Sequence, residues 1–277
     1  GDRELARRVA AELRRFGIEA DDSGGTPLAQ TPPAALLRLA LEAALRPGDA
    51  VAILSLLKHP LLCAGMARAR ARRAAETVDL VALRGGAGRP DIAGLAASFE
   101  QRLVALAADP RKPFWHARLS PQRLADARAL LAAVEAAIAP LVALRGCRAT
   151  LTGLARASVV AFEALGRDEA DGLAGLYRGD AGEALAAFLR ALVAASADLP
   201  VEAGEWPEVF AALVAGETVK PSVAGDPRVA IWGALEARLQ SVDTLVLGGL
   251  NEGSWPRKVE PDRFMSRFMK AGLELEP

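Results

Sequence analysis

The residues with most chemistry to offer lie near the end of the chain: Arg238, then Asn251, Glu252, Gly253 and Trp255. An arginine presents a planar fork of donors that matches a phosphate. A tryptophan offers a base a ring to stack on, worth ~1–3 kcal/mol per base. A glycine lets another backbone come close, and Asn251 and Glu252 either line a groove or brace their own turn. Each has a plainer alternative that the sequence leaves open. Arg238 equally suits a structural ion pair, and Trp255, beside Pro256, a hydrophobic core.

A second basic group, Arg68 and Arg72 with Arg70 and Arg73, reads as a DNA-facing stripe or as a solvated helix face. Other chemistry is missing. No G-x-x-x-x-G-K-[ST] occurs, and none of Lys58, Lys112, Lys220, Lys258 or Lys270 follows a glycine. Without that loop there is no cradle for nucleotide phosphates. Gly85-Gly86-Ala87-Gly88 lacks the lysine and reads as a turn. His59 and His116 have no carboxylate-rich partners at metal-binding spacing, and His59 before Pro60 reads as a helix-end residue. Cys63 and Cys147, far apart, read as reduced cytosolic thiols and not as a disulfide or zinc site. No cofactor site is expected in this chain.

Two apolar runs must position the terminal group. Val229 to Trp232 and Thr244 to Leu247 contain β-branched residues and read as strands buried on both faces. The second stops at Gly248-Gly249 and opens the loop that carries Asn251 to Trp255. Before them the chain reads as helical. Leu5, Val9, Leu13 and Phe16 share one face of a helix over residues 3–16, closed by Gly17. Ile18-Glu19-Ala20 reads as a short edge strand. Thr31-Pro32 opens a helix, and Asp49 caps another that Pro60 ends. From about residue 60 to 222 alanine and leucine dominate and helical periodicity recurs between proline and glycine breaks. Pro90-Asp91, Ser120-Pro121, Leu151 and Pro207 mark helix starts there, Asp180 reads as the cap of a further helix, and Pro140 marks an end.

The run Val242-Asp243-Thr244-Leu245-Val246-Leu247-Gly248-Gly249-Leu250-Asn251-Glu252-Gly253-Ser254-Trp255-Pro256 resembles the segment following the fifth motif of UvrD-like superfamily 1 helicases. The resemblance is nearest to the AddB family, subunits of bacterial AddAB helicase–nucleases of the alphaproteobacterial type. Leu5 to Ile18 with Asp21-Asp22-Ser23-Gly24, and Leu56-Leu57-Lys58-His59-Pro60-Leu61, resemble two earlier landmarks of that family in the same order. The resemblance implies an α/β, helix-dominated fold: a partial RecA-like lobe (2A) interrupted by a mostly helical insertion (2B). Its parts would be residues 1–57, the insertion 58–222 and the return to the lobe at 223–277. It also implies that the first lobe, a nuclease motif and four iron–sulfur cysteines lie outside these residues, so the chain is expected to be a piece of a longer polypeptide.

Where active motors of that type carry Thr-x-His-x-(Ala/Ser)-Lys-Gly-Leu-Glu, this sequence has Gly233, Leu235, Arg238 and Leu239 at the threonine, histidine, lysine and glycine. Leucine for histidine removes a donor and an acceptor, while Arg238 keeps a positive charge. The resemblance therefore implies a catalytically degenerate helicase-like module that contacts single-stranded DNA during double-strand break repair. Its partners would be an AddA-like helicase/nuclease subunit and single- and double-stranded DNA. ATP with Mg and an iron–sulfur cluster would belong to the full complex.

Composition limits these readings. The chain has 277 residues, 52% of them hydrophobic and 25% charged, which excludes a disordered protein. Lys+Arg and Asp+Glu each number 34, and a zero net charge counts against an extensive basic surface. It leaves a local groove open. No apolar run approaches the ~18 residues of a membrane span, and a cytoplasmic protein is expected. The alternative function is a helical protein–protein interaction scaffold with no direct DNA contact.

Overall fold

The computed structural model describes residues 3–84, 88–195, 199–220, 226–253 and 264–275. Contacts divide the chain into two compact units. One is discontinuous, Gly1–Gly24 with Val223–Pro277; the other is Gly25–Ser222.

The discontinuous unit begins with α1 (Arg3–Arg15). Gly17 follows at φ 74°, the left-handed conformation that closes a helix at low cost when there is no Cβ. Next comes β1 (Ala20–Asp22), which pairs in parallel with a strand more than two hundred residues later.

The helical unit opens with β2 (Thr26–Pro27) and α2 (Pro32–Leu45), with proline in the first turn as expected. α3 (Ala50–Leu57) is capped by Asp49, whose carboxylate accepts from the Val51 and Ala52 amides. α4 (Arg68–Val78) runs into a wide turn over Asp79–Leu83 closed by the Arg84 amide on the Asp79 carbonyl. α5 (Leu95–Ala108) and α6 (Pro121–Val142) follow, the latter capped by Ser120. β3 (Arg148–Thr150) leads into α7 (Leu151–Gly166), then α8 (Ala174–Tyr177) and α9 (Gly179–Ala194). β4 (Pro200–Glu202) pairs antiparallel with β3, α10 (Trp206–Val214) follows, and β5 (Thr218–Val219) pairs antiparallel with β2. The chain then returns to the discontinuous unit as β6 (Asp226–Ile231), the partner of β1. α11 (Arg267–Gly272) is the last element.

The fold is thus helix-dominated with three two-stranded sheets among the described residues. The two units differ in packing. Every residue of the hydrophobic core falls between Leu28 and Val219, around α2, α4, α6 and α7. Among the described residues of the discontinuous unit none is buried. α2 and α3, assigned by the resemblance to the α/β lobe, pack within the helical unit, and residues 25–57 belong to it.

Three expectations need correction. Thr244 to Leu247 form no strand, and Leu245, Val246 and Leu247 are exposed. β-Branched residues fit a strand only where a neighbour supplies a ladder and a packed face, and the described residues supply neither. Pro140 lies inside α6 and does not end it. The ring removes one amide donor near the C-terminus, and the helix continues to Val142 because the next amides still find partners, Ala143 N on Ala139 O among them. Asp180 sits in the first turn of α9 and is not its cap, which is the Arg178 position. Its charge there favours the helix dipole without filling the cap.

One ion pair knits distant parts of the helical unit. The Arg145 guanidinium donates to both Asp91 carboxylate oxygens, at 2.7 and 2.8 Å. Its Nε donates to the Ala44 carbonyl, one of the four left unpaired at the end of α2. The hydrogen bonds to Arg145 hold the Asp91 carboxyl below its usual range. Arg145→Met, which keeps the aliphatic stem, is expected to cost about 2 kcal/mol by urea denaturation. A midpoint unchanged from the parent protein would show that the bidentate pair contributes nothing.

Candidate nucleic-acid interface

The turn after β6 is held by Glu236. Its carboxylate accepts from the Gly233 amide at 2.9 Å and from the Ser23 hydroxyl. The Ser23 amide donates to the Ile231 carbonyl at 3.2 Å, so the end of β1 and the turn following β6 are tied to each other. A short 3-10 helix, Glu236–Leu239, then carries Arg238. Its side chain is exposed and forms no ion pair among the described residues. Of the two roles left open by the sequence, the structural salt bridge is not the one observed among these residues. Arg228, in contrast, is engaged: its guanidinium grips Asp226 at 2.9 and 2.5 Å, and this drives the Asp226 carboxyl down to about 2. Leu235 and Leu239, on either side of Arg238, are 74% and 94% exposed.

From Gln240 to Asn251 the backbone is irregular. Gly248 and Gly249 lie against α1: a Cβ would stand 3.7 Å from a Leu5 methyl at Gly248 and 3.2 Å at Gly249. The close approach permitted by the glycine pair is therefore to the protein's own helix. Asn251 and Glu252 are exposed, and Gly253, at φ 82°, takes a conformation that favours glycine. Trp255 lies outside the described residues.

Arg68 and Arg72 stand one turn apart on α4, both exposed. Arg72 reaches Glu76 at 3.7 Å, a loose surface pair. Arg70, between them, has a structural task. It contacts Asp126 of α6 at 2.7–2.8 Å, and this hydrogen bond is the main reason the Asp126 carboxyl is held low. The stripe is thus divided: Arg70 clamps α4 to α6, while Arg68 and Arg72 remain on the surface. These two belong to the helical unit; Arg238, Asn251, Glu252 and Gly253 belong to the other.

The Lys58-His59 landmark is structural in its contacts. Lys58 Nζ sits 2.6 Å from Asp79, a buried carboxylate that also receives Arg84 at 3.1 Å. Burial would raise the Asp79 pKa, but the hydrogen bonds from Arg84 and Lys58 prevail and it is lowered. His59 Nδ1 accepts from the Leu61 amide at 3.2 Å, and burial pushes its pKa down to about 4. A neutral imidazole in that turn serves the chain reversal after α3. An exposed basic and aromatic turn around Phe114 is not among the residues singled out from the sequence. Its signal was present, since Arg111-Lys112-Pro113-Phe114-Trp115-His116-Ala117-Arg118 interleaves cations with rings.

Among the described residues no group of three His, Cys, Asp or Glu side chains stands close enough to hold a metal ion, and no helix is long and apolar enough to cross a membrane. Cys63 is buried and Cys147 exposed. No family model, curated protein or solved structure matches this chain.

Proposed function

We propose that the chain is a segment of an AddB-like subunit of a DNA double-strand break repair helicase–nuclease. In this reading the discontinuous unit is part of a RecA-like lobe 2A and the helical unit is the insertion 2B. The observation that carries it is the parallel pairing of β1 with β6 across the whole of Gly25–Ser222. Parallel strands need a crossover between them, usually one helix; a separately packed helical unit in that place is what an interrupted lobe requires. Arg238, exposed and in no ion pair among the described residues, agrees with retained phosphate contact, and leucine at 235 and 239 with lost nucleotide coupling. The module contacts or tracks single-stranded DNA in the cytoplasm, beside an AddA-like subunit that supplies the ATP- and Mg-dependent motor. A four-thiolate iron–sulfur cluster needs cysteines beyond the two in this chain.

The test is an electrophoretic shift with oligothymidylate, using the intact subunit and its partner. Arg238→Ala is expected to weaken binding about tenfold and to reduce the slope of log affinity against log salt by about 0.7. Unchanged affinity and slope would remove Arg238 from the interface; no salt-sensitive binding by the parent complex would defeat the reading. One observation favours the alternative, a scaffold that binds only protein. Leu245, Val246, Leu247 and Leu250 form an exposed apolar stretch better suited to a protein surface than to phosphates.

A further inference from the structure

The connection between α5 and α6 combines three features that packing does not require. It is basic: Arg111, Lys112 and Arg118 face a single carboxylate, Asp109. That carboxylate is already engaged, accepting from the Arg111 amide at 2.7 Å. Among the described residues none of the three cations is in an ion pair, and all three are exposed. It carries a displayed ring: Phe114 is 84% exposed, at the start of a 3-10 turn, Phe114–Arg118. The turn does not need Phe114 for anchorage, because Trp115 and Leu119 pack against the core in its place. It is also stiffened by Pro110 and Pro113, which fix φ and lower the entropy lost when the turn engages a partner.

We infer that this turn is a binding site for single-stranded nucleic acid on the helical unit, separate from the Arg238 segment. Phe114 provides the stacking face, which is tolerant of sequence because every base has a π-face. Arg111, Lys112 and Arg118 neutralise the phosphates on either side, with the two arginines able to bind them bidentately. A membrane surface is the competing partner for a basic turn with an aromatic residue. Lipid binding scales with buried apolar area, and one phenylalanine on a short turn offers little. The same ring suffices to stack one base. Several single-strand contacts of this size add up only along an extended strand, so the site favours an unpaired strand over a duplex, whose bases are already stacked.

The site does not depend on the reading of residues 228–256, and the test keeps the two apart. Fluorescence anisotropy of a labelled oligothymidylate is measured with the 277-residue protein at low salt, for the parent, Phe114→Ala, Arg238→Ala, and the triple variant Arg111→Ala, Lys112→Ala, Arg118→Ala. Phe114→Ala is expected to weaken binding at least fivefold, with an unchanged thermal unfolding curve because the ring is exposed. The triple variant is expected to flatten the salt slope by about 2. Weakening by Phe114→Ala and not by Arg238→Ala supports this site and counts against the terminal segment. The reverse pattern overturns this site and leaves the terminal segment standing. Absence of binding by the parent, or binding to phosphatidylserine vesicles without binding to the oligonucleotide, overturns it as well.

Discussion

Trp206→Ala is expected to destabilise the protein by about 3–5 kcal/mol, the range for removing a fully buried aromatic residue. Trp206 is wholly buried at the start of α10, beside Phe210, whose ring in turn meets Phe188 edge-on at 6.0 Å. Its indole also has a polar requirement. Nε1 donates to the Ser158 hydroxyl at 2.9 Å, and that hydroxyl donates to the Leu154 carbonyl at 2.6 Å. Ser158→Ala keeps the packing but leaves a buried N–H without its acceptor, at a cost of about 1–3 kcal/mol. Urea midpoints, read by circular dichroism because three further tryptophans complicate fluorescence, rank the two variants. A loss below about 1 kcal/mol for Trp206→Ala would mean that α7 and α10 are not joined through this residue.

The second large effect is on acid tolerance. His59 has an ordinary pKa of 6.5, and burial brings it to about 4 in the folded protein. Between these values the unfolded chain binds a proton that the folded chain refuses. Stability is therefore complete above pH 6.5 and declines as pH falls toward 4. The full linkage would be about 3 kcal/mol, and water reaching a half-buried ring reduces this to roughly half. Asp79 acts lower on the scale. Held below its ordinary value, it stabilises the fold at pH above the usual carboxylate range, and that contribution goes as the pH falls through its lowered pKa. His59→Asn keeps an acceptor for the Leu61 amide and cannot titrate. Urea midpoints at pH 7 and 4.5 should differ by about 1–2 kcal/mol less in this variant than in the parent. An equal drop in both would place the acid sensitivity elsewhere.

The local signals in the sequence were the most legible. Asp49, Ser120 and Asp91 sit at helix starts where their carboxylate or hydroxyl oxygens accept backbone amides, and Gly17 closes α1; such effects depend on a few neighbouring residues. The strand at Val229 to Ile231 was readable from its β-branched residues, but the expected burial on both faces was not: Val229 to Trp232 are only half-buried. Thr244 to Leu247 has the same composition and forms none, because a strand depends on its neighbours more than on its own residues. Long-range pairs gave no local trace. Arg145 meets Asp91 across 54 positions and Trp206 meets Ser158 across 48. The arginine stripe was visible on α4, but only the position of Asp126 assigns Arg70 to packing and leaves Arg68 and Arg72 outside. At the candidate site the charge of Arg238 was legible, whereas its exposure, without an ion pair among the described residues, depends on where the fold places the neighbouring carboxylates.

The uncharged stretch from Thr244 to Asn251 also bears on how the protein behaves at high concentration. Leu245, Val246, Leu247 and Leu250 are exposed, and the nearest charges along the chain are Asp243 on one side and Glu252 on the other. Such flanking charges act as gatekeepers against strand-to-strand aggregation. A chain with an isoelectric point near 7.0 has no net repulsion to assist them at neutral pH. Asp243 and Glu252 therefore serve as the flanking gatekeepers of this stretch, and buffers away from neutrality should keep the isolated protein dispersed.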